Sequence, residues 1–131
     1  MKAMPKIRPQ WLRRRGACKE QVVLYRKTFG SAPVEVTLAR LRKAARVGLD
    51  LDWFAEEILK SQVFSEYHEA TTPEWRNYGR KVEEAWAKYL NVPAATLQEY
   101  GAELAAGFSE YRLAAATALW AAMKTQMMEG K

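Results

Sequence analysis

Phe64-Ser65-Glu66-Tyr67, Trp75-Arg76-Asn77-Tyr78, Trp86-Ala87-Lys88-Tyr89, Leu97-Gln98-Glu99-Tyr100 and Phe108-Ser109-Glu110-Tyr111 are tetrads that begin 11 residues apart, and Leu119 opens a sixth register. Seven positions after the openers stand Thr71, Val82, Pro93, Leu104 and Ala115. Ten positions after them stand Glu74, Ala85, Thr96, Gly107 and Ala118. An apolar pattern stepping by 3, 4 and 4 is a helical stripe, because three turns of about 3.67 residues make one repeat. Phe64 to Leu119 is therefore helical, and the expected fold is all-α with hendecad aromatic repeats.

Two prolines punctuate the stripe. A proline inside a helix removes a hydrogen bond and costs about 3 kcal/mol. Thr72 as N-cap with Pro73 at the first helical position avoids that cost, and Asn91 can end one helix before Pro93 begins the next. The expected helices are therefore about 62–70, 73–90 and 93–128, the last about 54 Å long. Gly101 and Gly107 sit on or beside the stripe, where a missing side chain lets another helix come close.

The chain before the repeats reads as a head of four short helices. Pro9 opens Gln10 to Arg14, and Gly16 stops it. A second helix from Ala17 or Cys18 carries Val22, Val23, Tyr25 and Phe29 to a left-handed cap at Gly30. Ser31-Ala32-Pro33 is loop. Thr37 caps a third helix with Leu38, Leu41, Ala44, Ala45 and Val47, closed by Gly48. Asp50 caps a fourth with Trp53, Phe54, Ile58 and Leu59 on its buried side, and Asp52 suits the positive end of its dipole. The division is a basic head at 1–61 and a repeat region at 62–131.

Length and composition allow one domain, or a small head with an extended tail: 131 residues, 49% hydrophobic and 27% charged. No apolar run can span a bilayer, and the basic N-terminus has no apolar segment behind it. One cysteine excludes an internal disulfide and fits a reducing, cytoplasmic setting. The net charge of +6 is unevenly spread. Met1 to Gly48 holds 13 Lys/Arg against two acids, a balance of +11, and Leu49 to Lys131 holds 8 against 13, a balance of −5. A basic front and an acidic rear point to a polyanionic partner, or to compensation within or between copies.

No catalytic, cofactor-binding or metal-binding set emerges. His68 is the one histidine, and a metal site needs more ligands. Cys18 beside Lys19 has no histidine near in sequence to activate it, and reads as a small buried cap-region side chain. Glu56-Glu57 and Glu83-Glu84 point about 100° apart on a helix and read as solvated faces. No cofactor and no enzymatic activity are expected.

Arg13, Arg14 and Arg15, with Arg40, Arg42, Lys43 and Arg46, are the candidate partner-binding residues, expected to form one basic surface. A helix-turn-helix with Thr37 to Arg46 as reading helix is one form of it, against which stand the long Gly30–Thr37 connection and the bulk of Arg26. Tyr100, Leu104, Phe108, Tyr111, Ala115 and Ala118 are the candidate self-association residues. The helix from Pro93 is twice as long as the Pro73–Leu90 helix that could fold back on it. That favours an oligomer over a hairpin reversing at Asn91-Val92-Pro93. Phe64 to Leu119 holds 5 basic and 8 acidic residues, the wrong sign for an anionic membrane surface.

Trp11-Leu12, Gly16-Ala17-Cys18, Gln21-Val22, Tyr25 and Phe29-Gly30, with Asp50-Leu51-Asp52-Trp53 downstream, carry a resemblance. The chain resembles small proteins encoded in bacteriophage and prophage genomes with a Trp-Leu…Gly-Ala-Cys…Gln-Val head and a Tyr/Ala-rich periodic helical tail. Tyr25 stands where phenylalanine is more usual. The resemblance implies a phage or prophage setting in a bacterial cell and assigns no activity. The leading expectation is a non-enzymatic interaction protein that self-associates through its hendecad helices and binds a host or defence protein. The alternative is a nucleic-acid-binding accessory or regulatory protein acting through its basic head.

Overall fold

The computed structural model describes residues 4–90 and 97–129. Its elements are β1 (Lys6–Ile7), α1 (Pro9–Arg14), α2 (Lys19–Phe29), β2 (Val34–Glu35), α3 (Leu38–Val47), α4 (Leu51–Ile58), α5 (Ser61–Tyr89) and α6 (Leu97–Glu129). The fold is all-α apart from the small strand pair.

The caps stand where the sequence signals put them. Thr37 accepts the Arg40 N–H at 3.2 Å, and Asp50 accepts the Trp53 N–H at 3.0 Å. Each satisfies a donor that the first turn leaves without a helical partner. Gly48 takes φ 99°, and the Gly48 and Leu49 N–H groups donate back to Ala45 and Ala44. That reversed pair of bonds is a Schellman closure, which favours a residue without a Cβ at the left-handed position.

Two features of the head were not foreseen. β1 and β2 pair antiparallel, with Lys6 opposite Glu35 and Ile7 opposite Val34. The Tyr25 hydroxyl donates to the Ile7 carbonyl at 2.9 Å, fastening the strand to α2. Gln21 is a second fastener. Its Nε2 donates to the Gly48 carbonyl at 3.3 Å, and its Oε1 accepts the Asp50 N–H at 2.8 Å. The first turn of α2 is thereby tied to the α3–α4 junction.

The repeat region departs further from expectation. α5 runs through Pro73 without a break, which corrects the separate helices at 62–70 and 73–90. Thr71 donates its hydroxyl to the Tyr67 carbonyl at 3.1 Å, and Thr72 to the His68 carbonyl at 2.7 Å. These threonines bond the carbonyls just before the one the proline leaves without a donor. Burial of Val63, Tyr67 and Thr71 on the inner face holds the helix on course through it. The Asn91-Val92-Pro93 turn and the expected start of the last helix at Pro93 lie outside the described residues.

α6 packs along α5 in its first half and enters the head in its second. Trp86 meets Tyr100 with ring centroids 6.5 Å apart, Tyr78 meets Phe108 at 5.2 Å, and Trp75 meets Tyr111 at 5.0 Å. Lys88 pairs with Glu103 at 2.8 Å, and Lys81 pairs with Glu110. The antiparallel hairpin is thus formed within one chain. Gly107 lies against Tyr78, so close that a Cβ there would stand 3.4 Å from the ring, whereas Gly101 has open space around it.

Beyond Tyr111 the helix completes the head. Ala116, Leu119, Ala122 and Met123 share one buried cluster with Ile7, Leu12, Val22, Leu41, Ala55 and Val63. Leu119 is 0% exposed. The part of the helix that α5 is too short to cover is thus covered by the head, where Ala115 to Met123 supplies its buried face, while Met128 at the far end is exposed. The smallness of Ala115, Ala116 and Ala122 is what lets α3 and α4 approach the helix. Residues 1–61 therefore do not close a core without α6. Near its end Gln126 brackets the α4–α5 junction, donating to the Ile58 carbonyl at 3.0 Å and accepting the Lys60 N–H at 2.7 Å.

Candidate functional site

The residues chosen for self-association have partners inside the chain. Tyr100 and Phe108 face the α5 rings, and Tyr111 and Ala115 are buried. Leu104 is half-buried, and Ala118 packs against the head core. The apolar strip that argued for a second copy is covered by α5 and by the head. This corrects the geometric reason for an oligomer.

The basic candidates are all exposed, and they are anchored in two places. On the α1 side, Arg15 pairs with Glu57 at 3.7 Å, donates to the Glu57 carbonyl at 3.2 Å and lies 5.0 Å from the Trp11 ring centroid. It ties the end of α1, the helix that carries Arg13 and Arg14, to α4. Arg40 donates to the Glu35 carbonyl at 2.8 Å, and the Lys43 ammonium stands 5.8 Å from the Phe29 ring. Lys43, on the same helix as Arg42 and Arg46, therefore meets the end of α2, which adds exposed Lys19, Arg26 and Lys27.

Among the described residues, no ion pair engages any of those six cations on α2 and α3. Glu20 is the one acid on the two helices. Val23 and Val47 stand on the same helices, 50% and 39% exposed. The exposed sides of these two helices are thus cationic, without an ion pair among the described residues, and carry two aliphatic side chains.

A second feature lies where α4, α5 and α6 converge. Asp52 accepts the Tyr67 hydroxyl at 2.6 Å, and the Tyr111 hydroxyl reaches its two oxygens at 2.8 and 3.0 Å. Burial pushes both phenols well above the ordinary tyrosine range, and bonding to the Asp52 carboxylate adds to the rise. Burial likewise pushes Tyr25 up to about 12, partly opposed by the charge of Arg40.

Above this node opens a cleft of about 710 Å³, walled by Phe64, Trp75 and Phe108 and edged by Asp50, Glu56 and Arg112. The Arg112 guanidinium lies 4.3 Å from the Phe108 ring centroid. In the sequence Asp52 reads only as a residue suited to the helix dipole, and the cleft has no signature there. Asp52 and Tyr111 are 59 positions apart, and no local pattern joins them.

His68 is exposed and stacks on Phe64. Cys18 is exposed, contrary to the expectation of a buried cap. It is the residue before α2, and neighbouring Ala17 takes the inward position against the core. No group of three or more His, Cys, Asp or Glu side chains that could hold a metal occurs among the described residues. No helix among them is long and apolar enough to cross a membrane. Comparison with family models, with curated proteins and with solved structures gives no match to this chain.

Proposed function

We propose that this protein is a non-enzymatic binding module that presents the α2–α3 surface to an acidic face of a partner protein. Arg26, Lys27, Arg42, Lys43 and Arg46, which form no ion pair among the described residues, with Val23 and Val47 exposed on the same two helices, carry this reading. Unpaired cations attract any polyanion. Half-exposed valines gain nothing from a phosphate backbone but bury apolar area against a protein. In the phage or prophage setting that the resemblance implies, the partner is a host or defence protein.

Nucleic-acid binding through the same cations is the second reading, favoured by their density. A duplex-binding surface that neutralises several phosphates loses affinity steeply as salt rises. Affinity capture from a bacterial lysate, wild type against Arg42→Glu with Arg46→Glu, tests the first reading. Acidic proteins retained by the wild type and lost from the variant support it. Nuclease-sensitive capture alone refutes it.

A further inference from the structure

The cleft between α4, α5 and α6 is chemically unlike the rest of the molecule. The chain carries a net charge of +6, yet three carboxylates, Asp50, Asp52 and Glu56, line this opening. No ion pair among the described residues neutralises any of them. Asp52 is held in place by two tyrosine hydroxyls. Its position is thus fixed, while no cation among the described residues pairs with its charge.

The walls are aromatic, and one large wall is left open. Trp75 is 52% exposed at the edge of the cleft, with its ring set edge-on to Tyr111 at 5.0 Å. Aromatic faces beside a carboxylate attract cations, because the negative face of each ring adds to the Coulomb term. The molecule already shows this interaction at the same cleft. Arg112 stacks its guanidinium on Phe108 at 4.3 Å, and among the described residues it forms no ion pair. One wall thus holds a cation from the chain itself, while no ion pair among the described residues reaches the three carboxylates.

We infer that this cleft binds an organic cation, a guanidinium or primary ammonium on a short aliphatic stem, with Asp52 as the charge partner and Trp75 as the covering ring. The chemistry is shared by a free small molecule and by an arginine or lysine side chain of a peptide. At about 710 Å³ the cleft admits either. Arg112 acts as a competing cation at its edge and not as a ligand for an anion, because an anion would face Asp50, Asp52 and Glu56 together.

The test is a titration of the full chain followed through the indole N–H resonances of its tryptophans. The probes are agmatine in one arm and a blocked Gly-Arg-Gly tripeptide in the other. Saturable shifts centred on Trp75 are expected with at least one probe, and the tighter of the two identifies the source. Trp75→Ala should weaken binding about fivefold or more, with circular dichroism checking that the loss of its contact with Tyr111 leaves the helices folded. Glu56→Gln should weaken it in the same direction, and Arg112→Gln should tighten it by removing the internal competitor. Absence of saturable shifts with both probes overturns the inference. So does affinity unchanged in Trp75→Ala, or an Arg112→Gln variant that binds more weakly than wild type.

Discussion

Tyr111 donates its hydroxyl to both oxygens of Asp52, at 2.8 and 3.0 Å, across 59 positions of sequence. The bond joins the middle of α6 to the first turn of α4, where α6 passes from its partner helix into the head. Tyr67 reaches the same carboxylate from α5, so one side chain ties three helices. A hydrogen bond to a charged group contributes about 1.5–3 kcal/mol. Tyr111→Phe should therefore lower stability by about that amount in denaturant titration. Combined with Tyr67→Phe, the losses should be non-additive, since both bonds end on one acceptor.

The same tyrosines set the alkaline limit of the fold. Tyr67 and Tyr111 hold their protons in the folded state well above the ordinary phenol range, and Tyr25 does so to about 12. In the unfolded chain all three ionise near 10. The unfolded state then binds fewer protons than the folded one, and stability falls as pH rises. Their contribution is intact below about pH 10 and is lost progressively above it, through about pH 12 for Tyr25 and at higher pH for Tyr67 and Tyr111. Tyrosinate absorbance and helical circular dichroism should change together over that window. Ionisation of these three without loss of helix would contradict it.

Pro73 lies inside α5, where it removes one backbone donor. Replacing it by alanine restores that donor and relieves the clash with the preceding turn, a change worth up to about 3 kcal/mol. Pro73→Ala should raise the melting temperature. A lower melting temperature would mean that the chain uses the proline to start a new helix.

Leu119 tests how α6 serves the head. A fully buried leucine cut to alanine costs about 2–5 kcal/mol, and Leu119 is 0% exposed in the shared core. Leu119→Ala should destabilise the whole molecule in a single transition. A change within ~0.5 kcal/mol, as for a surface position, would separate the helix end from the head.

The parts of this fold that were legible in the sequence are local ones. Thr37, Gly48 and Asp50 announce helix ends because a cap needs one side chain, or one missing side chain, at one place. The 11-residue stripe announces helix but not its neighbours. Its rungs fall into different surroundings, with Tyr67 and Tyr111 buried on Asp52 and Trp75 and Trp86 exposed. The route of α6 into the head depends on alanines that fit many interfaces equally well. Pro73 misled because the threonine bonds that accompany it serve as readily inside a helix as at its start. The basic candidates were legible as charge, but their union with α2 was visible only through Lys43 on Phe29. The cleft was not legible at all, since it is assembled from α4, α5 and α6.

The function proposed for the α2–α3 surface is that its cations and valines act together on a protein partner. Its direct measurement is binding of the full chain to an amphipathic acidic polypeptide of Glu and Leu, beside a DNA duplex. Each titration is run at low and at physiological salt, with wild type and with Val23→Ser plus Val47→Ser. The expected result is polypeptide binding that persists at physiological salt and weakens in the valine variant, while duplex binding falls away with salt in both proteins. Duplex binding that is the tighter of the two at physiological salt, and is untouched by loss of the valines, would contradict it.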